Sequence, residues 1–453
     1  MSKKTRGVVA FLALCGLSLF LLNCGSNVSR SSGLLYVLSQ GTSDVSSYAI
    51  DLTSGSLSLI NSNAGTCTTA PCGLPVSILL DPTGAAGFVL NQGVFTPPNS
   101  NTGVVQSGSV PSIYGYTVNS DGSLAVKGDV SPNAASPAAS PCDSPPPAAP
   151  AQGVFWRCDL AVAMTRDAAG KFLFVITEGN QSVSPPNSDP LGPPNLPPQL
   201  YVFSTQLGST SLTLTSQLAL NRIPTAVATI NDPNNSSNIL LYVTSSTDLS
   251  GNNVDNTLIE FTVDGSGNLK EYDNPNTGFP YTTAGTPSAA VAVKTAPIGG
   301  TSGVFIYVAN ATTNSVGVYQ LCTVVSSTCT SDDVMTNFKL IPVGTPTNSG
   351  SNPAAMVVDP LNNFLYVVSE NSSDVFGFRI NASQGTLSAL SPAYLNTGSQ
   401  PIAIAMHSTG MFMFVSNNGS SNVSAYVLDT TSGAMSSPTT VANPGQPAGL
   451  VSK

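Results

Sequence analysis

Residues able to do acid–base or electrophilic chemistry are scarce in this chain. One histidine, His407, stands in "IAIAMHSTGMFMFV", and the single tryptophan, Trp156, adjoins Arg157. Glu178 and Glu370 each follow an apolar, strand-like run, and Arg157 and Arg222 each precede one. A carboxylate so placed can take a proton from water, and a guanidinium can hold an oxygen on which negative charge develops. Trp156, Arg157 and Glu178 could equally form a binding surface, and each charge taken alone reads as a solvated loop residue. A Ser-His-Asp triad would have one possible base. The chain has no GxSxG elbow, phosphate-cradling loop or dinucleotide fingerprint. "DGSGN" from Asp264 lacks the glutamate that closes a calcium loop. No metal ion or cofactor is expected.

These residues are carried by a repeat. A first strand recurs as "PVSILLDP" (Pro75), "DLAVAMTRD" (Asp159), "PTAVATIND" (Pro224) and "PSAAVAVK" (Pro287), and again from Pro353 and Pro401. A second recurs as "GLLYVLS" (Gly33), "AGFVLN" (Ala86), "KFLFVIT" (Lys171), "ILLYVTS" (Ile239), "VFIYVAN" (Val304), "FLYVVSE" (Phe364) and "FMFVSNN" (Phe412). Third and fourth strands follow, joined by turns with Gly55, Gly122, Gly267, Gly385 and Gly433, where glycine supplies the positive φ of a tight hairpin. Seven second strands stand against six first strands, and "PAGLVSK" from Pro447 supplies the seventh. The expected fold is all-β: a seven-bladed β-propeller of four-stranded antiparallel blades, its C-terminal strand closing the ring with the N-terminal blade. The propeller spans 33–453.

The recurring "DPTGAAGFV" (Asp81), "DAAGKFLFV" (Asp167), "DPLNNFLYV" (Asp359) and "HSTGMFMFV" (His407), with "SDVFGF" and "TLSAL", resemble the seven-bladed lactonase family, which includes 6-phosphogluconolactonase-like members. The resemblance covers the chain beyond its leader. It implies lactone hydrolysis by His, Arg and Glu near one rim, with Glu178 or Glu370 activating water and Arg157 or Arg222 holding the carbonyl oxygen. The segment where a histidine is expected reads "VFWRCDLAV". His407 takes the slot of Asp81 and Asp359 and is read as a turn residue on the opposite rim.

The front of the chain reads as an export signal over 1–23, with Lys3, Lys4 and Arg6 before an apolar run over 7–22. "LLNC" at 21–24 resembles a bacterial lipobox, with Asn23 where a smaller residue is usual. Lipidation is expected at Cys24, followed by a linker over 24–32. The leader holds three of the 14 Lys and Arg residues, which leaves 11 against 23 acids, a net −12. That balance disfavours nucleic acid or anionic lipid as a partner through charge. Six further cysteines fall in close pairs, Cys67 with Cys72, Cys142 with Cys158 and Cys322 with Cys329. Fifteen connectivities are open in principle, and the spacings favour neighbours.

A binding module at the cell envelope is therefore expected. It is membrane-held through a lipid anchor, monomeric, and takes a glycan, peptide or envelope-protein partner. An extracytoplasmic lactonase is the alternative and an envelope assembly scaffold a second one. The long excursions 92–111, 131–156 and 179–198 are expected on one rim, in one sector, as the recognition surface.

Overall fold

The computed structural model describes residues 33–66, 73–93, 111–131, 160–179, 197–248, 254–272, 281–294, 303–323, 329, 339–443 and 445–453. Cys24, Cys67, Cys72, Cys142, Trp156, Arg157 and Cys158 lie outside them, as do the signal, the linker and most of the three long excursions.

The described residues form seven antiparallel sheets and no helix. Blade 2 shows the plan: Pro75–Leu80, Ala86–Asn91, Ser112–Val118 and Leu124–Asp129 run in that order from the axis outward. Blade 1 is built from both ends of this sequence, with Pro447–Ser452 innermost beside Gly33–Ser39. Each innermost strand packs against those of both neighbouring blades, which closes the ring. In blades 4 and 5 the outermost strand is in two pieces: Leu269–Glu271 and Tyr281–Thr282, then Leu340–Pro342 and Thr347–Asn348. Blade 4 also starts earlier than the repeat suggests, at Arg222 rather than Pro224.

There is no single core. Each second strand is buried on both faces, so successive side chains feed different wedges. Leu35 and Val37 pack against blade 7, and Tyr36 and Leu38 against blade 2. Seven such wedges lie between seven blades. Tyrosines stitch the wedges at both rims. Second-strand Tyr36, Tyr307 and Tyr366 donate to the carbonyls of Gly122, Gly385 and Gly433 in the following blade, at 3.0, 2.9 and 2.7 Å. Third-strand Tyr116, Tyr319 and Tyr426 donate to Gly65, Thr282 and Asn396 of the preceding blade, at 2.8, 2.9 and 3.2 Å. Turn glycines are required here: Gly55, Gly122, Gly267, Gly385 and Gly433 all have φ between 71° and 88°.

Strand directions define two rims. First-to-second and third-to-fourth turns share the lower rim, where Asp81 accepts the Gly208 amide of blade 3 at 2.8 Å. The upper rim takes the second-to-third loops and the blade-to-blade connections. His407 lies on the lower rim and does the work of the turn aspartates. Asp359 Oδ1 accepts the Asn363 and Phe364 amides at 2.6 Å each. His407 Nδ1 meets Thr409 Oγ1 at 2.8 Å and the Thr409 amide at 3.3 Å. Its ring is 4% exposed and hydrogen-bonds with the Lys453 backbone. A Cβ on Gly33 would stand 2.6 Å from its Nε2. Burial lowers its pKa, so the ring is neutral where the first and last described strands meet. Cys322–Cys329 is a disulfide, in the third-to-fourth connection of blade 5.

The sequence of that connection, 322–339, contains no glycine like those that receive Tyr36, Tyr307 and Tyr366, and Tyr242 of blade 4 bonds within its own blade. Its hydroxyl donates instead to Glu260 Oε1 at 3.2 Å. Glu260 is fully buried, its Oε2 has no hydrogen-bond partner among the described residues, and burial raises its pKa well above the ordinary glutamate value. The unfolded chain releases this proton near pH 4.5 and the folded chain holds it. Stability should therefore fall as pH rises above that point, by about 1.4 kcal/mol per pH unit until the folded group ionises. Glu260→Gln keeps the shape and removes the proton. Its melting temperature, followed from pH 4 to 9, should gain on the parent steadily through that window, whereas parallel curves would contradict the assignment.

Candidate functional site

The upper mouth of the central channel is assembled by one hydrogen bond repeated around the ring. The residue after each second strand donates its amide to the carbonyl of the residue before the first strand. The pairs are Gln40 with Gln446, Gln92 with Leu74, Glu178 with Leu160, Ala311 with Thr286, Glu370 with Asn352, and Asn418 with Gln400, at 2.7 to 3.1 Å. Six blades thus present the same backbone position to the mouth. Blade 4 departs, because its first two strands extend to pair Arg222 with Asp248 in register.

Side chains at this position have a structural use. Gln40 Nε2 donates to the Pro75 carbonyl of the next blade at 3.3 Å, and Asn418 Nδ2 to that of Pro447 at 3.4 Å. Where Ala311 cannot reach, the Ser288 hydroxyl donates to the Pro353 carbonyl. Glu178 and Glu370 occupy the same position in blades 3 and 6, and an ionised carboxylate cannot donate. Glu370 Oε2 instead accepts Asn352 Nδ2 at 3.0 Å. Glu178 is half-buried and, among the described residues, its carboxyl has no hydrogen-bond partner. Burial alone raises its pKa. A carboxylate so held is a stronger base than a solvated one. Arg222 lies on the same rim in the next blade, its guanidinium 3.4 Å from Thr257 Oγ1.

The structure thus gathers Glu178, Arg222 and Glu370 on the upper rim, spread over blades 3, 4 and 6. It reveals a second set that the sequence reading passed over. Asn352, Gln400 and Gln446 precede the first-strand prolines of blades 6, 7 and 1 with φ of 56°, 52° and 57°. Side-chain-bearing residues rarely adopt this left-handed region. Gln400 and Gln446 are exposed there. Their signal was present in "SNP", "SQP" and "GQP" at equivalent points of the repeat. The second-to-third loops of blades 1, 5, 6 and 7 are four-residue turns, so the mouth is unobstructed by them on that side. The strand ends that bound 92–111 and 179–198 lie on the upper rim of blades 2 and 3. Among the described residues no group of three or more His, Cys, Asp or Glu is placed to hold a metal ion.

Residues 300–450 match the family model described as "Lactonase, 7-bladed beta-propeller". No curated protein matches the chain. Solved structures of the same fold cover nearly all of it. A protein of Lactobacillus plantarum is 13% identical with a TM-score of 0.61, covering 93% of this chain and 99% of its own. The periplasmic gluconolactonase of Pseudomonas aeruginosa is 16% identical with a TM-score of 0.58, over 93% of this chain and 98% of its own. A protein of Bacteroides fragilis provisionally assigned as a 6-phosphogluconolactonase is 12% identical with a TM-score of 0.56, over 94% and 99%.

Proposed function

We propose that this lactonase-like propeller is exported, anchored through Cys24 at the cell envelope, and binds a neutral, hydroxyl-rich ligand at its upper mouth. One observation carries the ligand class. Three successive blades hold an Asn or Gln in left-handed backbone at the mouth, a strain that a fold retains when the side chain's position matters. Amides both donate and accept, as recognition of sugar hydroxyls requires. Charge supports a neutral ligand over a phosphorylated one, since Glu178 and Glu370 share the described mouth with Arg222.

Substitution by glycine tests this reading, because it separates backbone strain from side-chain use. Gln400→Gly should stabilise the fold by about 1 kcal/mol, since glycine adopts positive φ without cost. It should also weaken binding of a neutral oligosaccharide or sugar lactone by roughly five- to tenfold, the worth of one hydrogen bond. Titration calorimetry and thermal melts read the two effects. A variant that is stabilised and binds as the parent does would remove the amide from the site.

A second reading is lactone hydrolysis. The half-buried carboxyl of Glu178, without a hydrogen-bond partner among the described residues, favours it. In that reading Glu178 takes a proton from the attacking water and Arg222 receives the charge that develops on the carbonyl oxygen.

A further inference from the structure

We propose that Tyr394 forms an outer subsite for the ligand of the mouth, and that this ligand is a neutral oligosaccharide chain rather than a single sugar, an inference that rests on the reading of the mouth as a site for hydroxyl-rich ligands. Tyr394 lies on the outermost strand of blade 6, Leu387–Asn396, near its upper end. Of thirteen tyrosines it is the exposed one, with 51% of its surface in solvent. Its ring is stacked on that of Phe376, its register partner in the third strand, at 5.1 Å between centroids and 26° between planes. Phe376 stacks in turn on buried Phe378 at 6.2 Å. Gly350 approaches Phe376 so closely that a Cβ there would stand 2.8 Å from the ring. The ring under Tyr394 is therefore fixed, and the Tyr394 hydroxyl has no partner among the described residues.

The fold does not ask for an aromatic ring at this place. Second and third strands begin pairing at Ser369 with Asp374, Asn417 with Asn422, Asn91 with Ser112 and Thr177 with Gln199. Two residues further along the third strand stand Phe376, Ser424, Tyr114 and Tyr201, and their outer-strand partners are Tyr394, Thr440, Asp129 and Gln217. Blades 7, 2 and 3 thus close this level with a polar side chain. Tyr114 and Tyr201 are aromatic as Phe376 is, so an inner ring does not require an outer one.

A flat, fixed, half-exposed ring suits the apolar face of a pyranose, whose C–H groups meet the negative face of the aromatic system while its hydroxyls stay in water. Little freedom is lost on binding, because the ring is already held. The way from this ledge to the mouth is polar. Residues 349–352 run inward from the outermost strand of blade 5 to Pro353, which opens the innermost strand of blade 6. Asn348, Asn371 and Ser372 are exposed beside that run, and the Ser351 amide donates to Ser372 Oγ at 2.9 Å. Asp374 is buried there and accepts the Ser372 hydroxyl at 2.9 Å. The inner end is Asn352, in left-handed backbone, with Glu370 on its side-chain amide. Strands about 4.8 Å apart put Tyr394 roughly 14 Å outward of the innermost strand. One sugar ring cannot touch both ends, and a chain can.

Calorimetric titration of the full chain with linear neutral glucans, mannans, xylans and galactans, from single sugars to hexasaccharides, tests the subsite. The parent should bind chains long enough to span the blade roughly three- to tenfold more tightly than short ones, the worth of one stacked ring. Tyr394→Thr, which installs the residue type of blade 7 at this level, should bring long chains down to the affinity of short ones. Tyr394→Phe keeps the ring and should retain most of the gain. Thermal melts establish that both variants are folded at the titration temperature. Gln400→Gly should weaken short and long chains alike. Affinity that does not grow with chain length, or a Tyr394→Thr variant that binds long chains as the parent does, overturns the subsite and leaves the mouth standing. A parent that binds no member of the panel removes the mouth reading and the subsite together.

Discussion

Removal of residues 447–453 is expected to abolish the folded ring. The strand Pro447–Ser452 is innermost in blade 1 and pairs with Gly33–Ser39 along its length. Lys453 and Leu34 exchange backbone hydrogen bonds at 2.8 and 2.9 Å. Leu450 belongs to the wedge between blades 7 and 1, and Val451 packs on the wedge toward blade 2. Each such side chain contributes about 1.5–3 kcal/mol on burial. The deletion also bares a sheet edge and uncovers the inner strands of two neighbouring blades. The summed loss is comparable to the whole net stability of an ordinary domain, about 5–15 kcal/mol. The truncated chain should show no cooperative melt by circular dichroism and should aggregate on gel filtration. A peptide of residues 447–453 added during refolding should restore part of the signal. A truncated protein melting with the parent would contradict this register.

Glu178→Gln is expected to have the largest effect on any lactone turnover. Gln keeps the size of the side chain and its amide cannot take a proton from water, so the rate should fall by about 10²- to 10⁴-fold. The sign of the pH dependence follows from the raised pKa. The base is the ionised form, so parental activity should rise with pH through a value above the ordinary glutamate range and level off beyond it. The variant should lack that limb. Arg222→Ala should lower the rate by about 10²- to 10³-fold, as loss of an oxyanion donor does. Turnover of a panel of neutral and phosphorylated lactones by the parent decides between the two readings. A parent that binds lactones without hydrolysing them is a recognition module, and a Glu178→Gln enzyme as fast as the parent would exclude this base.

The propeller was legible because its signals are local. Alternating apolar runs, a turn glycine and an Asp or His turn recur within each blade, and each is a few residues long. The closing strand could be counted from seven second strands and six first ones. His407 could be placed because its slot holds Asp81 and Asp359 in other blades. The working details were hidden because they join residues far apart in sequence. Glu260 meets the Tyr242 hydroxyl only once the second and third strands of blade 4 pair. The departure of Glu178 and Glu370 from amide capping shows only once Gln40 is seen to reach Pro75 and Asn418 to reach Pro447. In blade 5 the outer strand is split because residues 343–346 leave the sheet edge between Pro342 and Thr347, which short-range pattern does not encode.

The division of the interior into seven wedges means that destabilising changes in non-adjacent wedges should add, as independent sites do. A wedge that loses packing weakens the two blades that share it and leaves the other five much as they were. Such a ring can drift unevenly. One arc can keep its ancestral residues while another takes long excursions at its edges. The match to the lactonase model lies over residues 300–450, mostly in blades 5 to 7, and the long excursions lie at the edges of blades 2 and 3, in a different sector of the ring.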